Sequence, residues 1–198
     1  MLKQNRQDYR LDLNKKLNIA HINVCTEAEG PYKRMAIWFQ GCDILCEGCC
    51  NPELQEIRVA HIMTVQDVIE IALEAKRKHG IEGVTLLGGE PTLQDNLGIL
   101  VSELRRNDFG IILFTGRCYD SLEKELMVDI DMVIDGRFKL NEVDNNRNMI
   151  GSKNQAIICI SERYKKDVDW FMNTREKRVE INMNDSIFIT GDALFLSE

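Results

Sequence analysis

In residues 38–52 the chain reads WFQGCDILCEGCCNP, a run that places Cys42, Cys46 and Cys49 directly after a predicted strand. Iron–sulfur clusters are usually held by four cysteines. Three cysteines in one Cys-x3-Cys-x2-Cys loop therefore fit a four-iron cluster with one iron left open. Because an open metal position can bind a reactant, the spacing indicates chemistry rather than a purely structural role.

A closed zinc site is the alternative interpretation of this loop. Zinc in structural sites takes four ligands in a tetrahedron. The obvious fourth candidate is Cys50, which is adjacent to Cys49 and poorly placed to share one ion with it; the next histidine along the chain is His61. The loop therefore favours an iron–sulfur cluster over zinc.

The chain has the size and composition of one globular domain, with 198 residues, 44% of them hydrophobic, and three prolines. A net charge of -7 disfavours nonspecific binding to nucleic acid or to an anionic membrane. Residues 1–16 are polar and lack the apolar core of a signal peptide, and no run approaches the length of a membrane span. The odd number of cysteines, seven with four of them in residues 42–50, and the lack of an export signal predict a cytoplasmic, metal-binding protein.

Short apolar strands alternate with helices along most of the chain. The predicted strands are 17–25, 34–39, 84–87, 110–114, 132–134 and 156–160, and the predicted helices are 65–79, 93–106 and 121–128. Such alternation predicts βαβ units and a mainly parallel sheet. Thr64 and Asp67 are spaced to cap the first helix. Residues 179–183 and 187–190 flank a polar turn and predict a C-terminal β-hairpin.

Three further loops follow predicted strands, at 88–91 (GGEP), 115–117 (TGR) and 135–137 (DGR). The carboxyl ends of parallel strands meet at one edge of a sheet, so these loops are expected to lie beside the cysteine loop. A glycine pair lets backbone approach a ligand closely, and Glu90 can meet a cation. Each loop alone could be an ordinary turn. Together with the cysteines they predict a ligand site.

The cysteine array followed by Gly-Gly-Glu-Pro resembles the radical S-adenosylmethionine superfamily. In size and order of motifs the chain is most similar to the activating enzymes of anaerobic ribonucleotide reductase, over about residues 19–160. The matching positions are 30–31 (GP), 41–42 (GC), 46–49 (CEGC), Asn51, 88–91 (GGEP), 115–116 (TG), 135–138 (DGRF) and 151–155 (GSKNQ).

The resemblance implies an α/β fold, a partial (βα)6-type parallel barrel of the radical S-adenosylmethionine kind, with the C-terminal β-hairpin added. It divides the chain into three parts. Residues 1–16 are a polar N-terminal extension, 17–160 are the radical S-adenosylmethionine core, and 161–198 are an accessory helix and hairpin.

The resemblance also implies cofactors and residue roles. Cys42, Cys46 and Cys49 would ligate a [4Fe-4S] cluster whose open iron chelates S-adenosylmethionine, and reductive cleavage of that molecule would give a 5′-deoxyadenosyl radical. The backbone of residues 88–90, with or without the Glu90 carboxylate, would hold the methionine amino group. The implied cofactor-binding residues are Gly48 and Cys50 on the adenine side, Gly88, Gly89 and Glu90 at the amino group, and Thr115 and Gly116 at the ribose or carboxylate.

The implied activity is that of a radical S-adenosylmethionine oxidoreductase that activates a glycyl radical enzyme such as anaerobic ribonucleotide reductase. A flavodoxin or ferredoxin would supply electrons, and no nucleic acid or membrane partner is expected. Two alternatives stay open: radical modification of a peptide or small metabolite, and electron transfer without catalysis.

Several residues depart from the family pattern or have no assigned role. Cys50 stands where the activases usually have an aromatic residue, and Glu27 and Glu29 place two carboxylates on a loop near the expected mouth of the site. These departures motivate the peptide or metabolite alternative. Cys118, beside the third loop, is the remaining cysteine near that mouth. The substrate, the reductant and the oligomeric state do not follow from the sequence.

Overall fold

The computed structural model describes residues 12–173, 179–183 and 187–191. Its strands are β1 (Lys16–Thr26), β2 (Arg34–Phe39), β3 (His61–Thr64), β4 (Gly83–Gly88), β5 (Gly110–Phe114), β6 (Met132–Asp135), β7 (Ala156–Cys159), β8 (Val179–Met183) and β9 (Ile187–Gly191). Its α-helices are α1 (Val65–His79), α2 (Leu97–Arg106), α3 (Lys124–Met127) and α4 (Val168–Met172). No helix in these described ranges is both long and apolar enough to cross a membrane.

Seven strands form one mixed sheet in the order β3-β1-β2-β4-β5-β6-β7. β2, β4, β5 and β6 are parallel to one another, whereas β1, β3 and β7 pair antiparallel to their neighbours. β3 and β7 stand at opposite ends, so the sheet is open. The predicted α/β class is confirmed, and the six-stranded parallel barrel is not.

The connections explain why the sheet has fewer parallel strands than predicted. A parallel pair needs a crossover of a dozen or more residues, usually an α-helix. The 20-residue link from β6 to β7, residues 136–155, contains only a 3₁₀ turn (Leu140–Glu142), and β7 returns antiparallel. The link from β1 to β2 is a short turn, as predicted, and it likewise produces an antiparallel pair.

All three helices predicted from the sequence are present; the second begins later in the chain than predicted, and the third is shorter. Thr64 and Asp67 form a reciprocal capping box at the start of α1, and Gly80 ends that helix in a left-handed conformation with φ of 67°. The second helix begins at Leu97 rather than at residue 93, because a 3₁₀ turn (Pro91–Leu93) precedes it. The third, predicted over 121–128, is the single turn Lys124–Met127.

Successive residues of the central strands point to opposite faces of the sheet, and each face has its own apolar packing. Met35, Ile37 and Phe39 of β2 pack in the cluster that includes α1 and α2. Ala36 and Trp38 of the same strand lie in a smaller cluster on the other face. Near β6 and β7, a third apolar cluster packs on this second face of the sheet. Its buried members are Ile112, Met132, Ile134, Ile150, Tyr164 and Phe171.

The amino ends of the parallel strands are held together by one buried guanidinium. Arg34 is 0% exposed; its Nη1 donates to Glu82 Oε2 at 3.1 Å and to the Tyr164 hydroxyl at 2.8 Å. Its Nη2 donates to the carbonyl oxygens of Val84 and Gly110. Because a buried charge is tolerated only when it is fully hydrogen-bonded, this end of the sheet has a structural role.

The predicted hairpin is confirmed, since β8 and β9 pair antiparallel from Val179↔Gly191 to Met183↔Ile187. The predicted turn at 184–186, residues 1–11 of the predicted N-terminal extension, and residues 174–178 and 192–198 of the accessory segment lie outside the described residues. Glu180 of β8 accepts a hydrogen bond from the Glu27 N–H at 2.8 Å, which joins the hairpin to the loop after β1. The divisions at residues 16 and 160 stay predictions.

Candidate active site

The cysteine loop leaves the carboxyl end of β2 and is held on its backbone. The Gly41 N–H donates to Leu54 O at 2.9 Å, and the Cys42 N–H donates to Gln55 O at 3.1 Å. Gly41 and Gly48 have positive φ angles of 97° and 70°, which glycine adopts without strain. Leu45 has a φ of 51°, which is uncommon for a residue with a side chain. The backbone of the loop therefore turns sharply at three positions next to its cysteines.

The four neighbouring thiols differ in their surroundings. Cys42 is buried, Cys46 and Cys49 are half-buried, and Cys50 is exposed. Burial raises the pKa of Cys42. A hydrogen bond with the Cys50 thiol, joined by one from the Asn51 N–H, lowers the pKa of Cys49 to about 6, and the same thiol contact raises the pKa of Cys50. Cys49 is thus poised as a thiolate, the form that ligates metals.

The glycine pair after β4 is required by the contact between two loops. A Cβ on Gly89 would lie 2.2 Å from Gly41 O, and one on Gly88, whose φ is 110°, would lie 2.5 Å from the Phe39 N atom. The Gly89 N–H donates to Phe39 O and the Glu90 N–H to Gly41 O, each at 2.9 Å. These N–H groups fix the loop against the start of the cysteine loop.

The Glu90 side chain is 1% exposed and is surrounded by donors. Its Oε1 accepts from the Thr92 N–H at 3.0 Å, from the Thr92 hydroxyl, and from the Thr115 hydroxyl at 2.8 Å. Its Oε2 accepts from the Gly116 N–H at 2.9 Å. Glu90 therefore joins the loop after β4 to the loop after β5. The predicted contacts of Thr115 and Gly116 with a ligand stay predictions, since these donors already have an acceptor.

One cavity of about 330 Å³ lies at the carboxyl ends of the parallel strands. All the predicted site residues line it: Cys42, Cys46, Gly48, Cys49, Cys50, Gly88, Gly89, Glu90, Thr115 and Gly116. The structure thus brings together three segments, 42–50, 88–90 and 115–116, whose members are separated by up to 74 residues along the chain, from Cys42 to Gly116.

The sequence analysis missed the rest of the cavity lining. These residues include Trp38, Leu87, Phe114, Phe138, Asn148, Met149, Gln155 and Trp170. Strand alternation could have identified Trp38, Leu87 and Phe114, because they point away from the helix-covered face. The 135–137 loop was expected beside the cysteine loop, and Gly136 does line the cavity, whereas the 151–155 motif was noted only as a resemblance. They meet where Gln155 Nε2 donates to Gly136 O at 3.0 Å.

The residues without an assigned role have different positions. Glu29 is 5% exposed and lines the cavity, whereas Glu27 is exposed. Cys50 also lines the cavity. Cys118 is exposed, and it is not among the described residues that line the cavity.

The donor chemistry of the cysteine loop fits a cluster better than a single ion. Within the described parts of the chain, no three His, Cys, Asp or Glu side chains lie close enough together to hold one metal ion. Thiolates on one zinc ion would lie about 3.8 Å apart, because each Zn–S bond is about 2.3 Å. In a four-iron cluster each cysteine binds a different iron, so the thiols stand farther apart. Three cysteines around one cavity have the donor chemistry for such a cluster.

Comparison with known proteins agrees with this donor set. Residues 28–158 match the family described as a 4Fe-4S single cluster domain. The anaerobic ribonucleoside-triphosphate reductase-activating protein of Enterobacteria phage T4 is 30% identical over 71% of this chain and 93% of its own length. Its counterpart in Vibrio cholerae is 28% identical over 65% of this chain and 88% of its own.

A second group of relatives carries a different name. The pyruvate formate-lyase-activating enzyme of Streptococcus mutans is 29% identical over 71% of this chain and 57% of its own length. Both names denote activating proteins, and the 4Fe-4S match spans the cysteine loop and all three glycine-bearing loops. The chain therefore belongs to the 4Fe-4S single cluster domain family and to the radical S-adenosylmethionine activases that its motifs resemble.

Proposed function

We propose that this chain cleaves S-adenosylmethionine reductively at a [4Fe-4S] cluster and uses the resulting radical to activate a glycyl radical enzyme such as anaerobic ribonucleotide reductase. The observation that carries the proposal is the single cavity lined by the cysteine loop, the Gly88–Glu90 segment and the loop after β5. Parallel α/β sheets bind ligands at this edge.

Cys42, Cys46 and Cys49 would hold the cluster. When bound, it supplies the electron for cleavage of the sulfonium and, at its open iron, a seat for the amino and carboxylate groups of S-adenosylmethionine. The Gly89 and Glu90 N–H groups already donate to Phe39 O and Gly41 O. Carbonyl oxygens of the Gly88–Glu90 segment are therefore the groups proposed to accept from the methionine amino group.

The remaining cavity walls would orient the nucleoside and exclude water. Gly48 and Cys50 are proposed on the adenine side, next to the apolar ring of Phe138, whose edge would lie 3.4 Å from a Cβ on Gly48. Trp38 and Phe114 line the same cavity from the sheet. Apolar walls favour radical chemistry because they keep competing solvent away from a reactive intermediate.

Two observations support a protein as the recipient of the radical. The relatives are named for activating anaerobic ribonucleoside-triphosphate reductase or pyruvate formate-lyase. In addition, large apolar side chains beside the cavity are exposed, with Leu45 at 58% and Leu140 at 52%. These two side chains are proposed to be part of the surface that such a partner contacts. A flavodoxin or ferredoxin as electron donor and a reducing, cytoplasmic location are parts of the same proposal.

The experiment that tests the activase role uses electron paramagnetic resonance. The reconstituted, reduced chain is mixed with S-adenosylmethionine and, in turn, with each glycyl radical enzyme encoded in the same genome. A glycine-centred signal that is absent when Cys46→Ser replaces the wild-type chain is the expected result. Silence with every encoded glycyl radical enzyme would reject the role.

A second candidate function is radical modification of a peptide or small metabolite. The observation that favours it is Glu29, a buried carboxylate that lines the cavity and could meet a polar substrate. In that case the mass of the substrate, a peptide or a small metabolite, would change on incubation with the reduced chain and S-adenosylmethionine. Mass spectrometry of the substrate, with Glu29→Gln as the comparison, separates the two functions.

A further inference from the structure

An ion pair joins the cysteine loop to the loop after β5. The Arg117 Nη2 donates to both carboxylate oxygens of Asp43, at 2.8 and 2.9 Å. Asp43 directly follows Cys42 in the chain, and Arg117 directly follows Gly116. Both contacts are charge-assisted, and such hydrogen bonds hold a carboxylate more firmly than neutral ones do. The pair therefore restrains the orientation of the residue next to a proposed cluster ligand.

Arg117 also reaches the loop after β4. Its Nε donates to the Thr92 hydroxyl at 2.8 Å, and that hydroxyl donates to Glu90. The Arg117 N–H donates to the Thr115 hydroxyl at 3.1 Å. Since Glu90 is almost completely buried, this chain of contacts ends on a fixed part of the molecule. Asp43 is thus tied, through one arginine, to both loops proposed to hold S-adenosylmethionine.

The other restraints on the cysteine loop lie on either side of this contact. The Cys42 N–H is bonded to Gln55 O, and the carbonyl of Leu45 accepts from Arg137 Nη2 at 3.2 Å. Asp43 provides the side-chain restraint between them. The side chains of Asp43 and Arg117 are 41% and 33% exposed, and ion pairs this exposed contribute little to the free energy of unfolding. Removing the pair should shift the loop without unfolding the chain.

We infer that Asp43 and Arg117 are positioning residues, which set the cysteine loop at a fixed distance and angle from the Gly88–Glu90 segment. The inference rests on the proposed function, because the purpose of this geometry is to hold cluster and S-adenosylmethionine together. Neither residue needs to touch the reacting atoms. Groups that orient metal ligands through hydrogen bonds typically change metal affinity or activity by about 10- to 100-fold when removed.

The test compares Arg117→Gln with Arg77→Gln. Arg77 makes a similar two-point contact with Glu74, at 2.9 and 2.7 Å, on the exposed side of α1, and so provides a matched control. Both variants are reconstituted with iron and sulfide, and the rate at which EDTA removes iron is measured without S-adenosylmethionine. The expected result is a rate about tenfold faster for Arg117→Gln than for wild type, with Arg77→Gln unchanged. The melting temperatures of the two variants should match.

A second measurement separates positioning from a simple charge effect. Arg117→Lys keeps the positive charge beside Asp43 but cannot also bond Thr92 in the planar arrangement. Its Kd for S-adenosylmethionine should therefore be raised, as in Arg117→Gln. A wild-type Kd for Arg117→Lys, or iron loss from Arg117→Gln no faster than from Arg77→Gln, would overturn the inference. If the wild-type chain assembled no cluster, the proposed function itself would fall, and the inference with it.

Discussion

Cys49 and Cys50 are adjacent in the sequence but differ in what surrounds them. Cys49 is half-buried and accepts from the Asn51 N–H at 3.4 Å, whereas Cys50 is exposed. The thiol contact between them lowers the pKa of Cys49 and raises that of Cys50. A lowered pKa favours the thiolate, the form that ligates metals, so the directions of these two shifts agree with the proposal that Cys49 rather than Cys50 is a ligand.

This difference predicts unequal effects of two conservative substitutions. Cys49→Ser should abolish assembly of the cluster, since it removes one of three ligands. Cys50→Ser should retain wild-type iron and acid-labile sulfide per chain after anaerobic reconstitution. Cys118→Ser, at an exposed position that does not line the cavity, is the control for iron that is lost when any cysteine is replaced. Equal loss of iron in the Cys49 and Cys50 variants would show that the ligand assignment is wrong.

Gly89 makes a second prediction at the scale of single residues. In Gly89→Ala the new Cβ would meet backbone oxygens of Gly41 and Leu54 at 2.2 and 2.9 Å, and neither can move without shifting the cysteine loop. The free energy of unfolding should fall by about 2 kcal/mol or more. Gly98→Ala in α2, where nothing lies within 4 Å of the new Cβ, should instead raise it by up to about 1 kcal/mol. Urea denaturation of the apo chain measures both, and equal effects would contradict this account of the glycine pair.

At the scale of elements, the two ends of the parallel strands differ in the residues that surround them. Their carboxyl ends carry the loops that surround the cavity, and their amino ends are joined by Arg34 with Glu82 and Tyr164. The Tyr164 hydroxyl would lie 1.8 Å from a Cβ on Gly110, so strand and hydroxyl are in close contact there. A rigid amino end allows the opposite loops to keep a fixed geometry.

Arg34→Met should therefore destabilise the chain without touching the cavity. Removing one partner of a buried ion pair costs about 3 kcal/mol, because the remaining polar groups lose their partner. Arg58→Met, which removes a pair with Glu56 whose side chains are 52% and 74% exposed, should change stability by less than about 0.5 kcal/mol. Chemical denaturation measures both variants. A similar small effect at Arg34 would mean that the network is not structural.

Much of the secondary structure could be predicted from the sequence, because apolar spacing and capping residues are local signals. The capping box at Thr64 and the strand before the cysteine loop are examples. The antiparallel return of β7 was missed, although the sequence predicts no helix in residues 136–155, because the direction of a strand after a long irregular link depends on which edge it pairs with. The sequence could suggest Glu90 as a cation ligand. The hydrogen bonds that Glu90 accepts from Thr115 and Gly116 could not be predicted, because they join two loops that are distant in the sequence.

At the scale of the whole molecule, one face of the sheet carries the large apolar core and the other faces the cavity. The face under α1 and α2 is filled by the large apolar cluster, and the opposite face presents Trp38, Leu87 and Phe114 to the cavity. The hairpin contacts the loop after β1 through Glu180 and so lies next to the segment that carries Glu29. The cavity is thus built from segments spread over most of the described chain.

Release of 5′-deoxyadenosine tests the central claim most directly, because only a chain that both binds and cleaves S-adenosylmethionine can produce it. The reconstituted chain is reduced anaerobically with S-adenosylmethionine, and the products are separated by liquid chromatography and identified by mass. We predict 5′-deoxyadenosine and methionine in equal amounts from the wild-type chain and neither from Cys46→Ser. A wild-type chain that holds a reducible [4Fe-4S] cluster but releases no 5′-deoxyadenosine would contradict the claim and would identify an electron carrier instead.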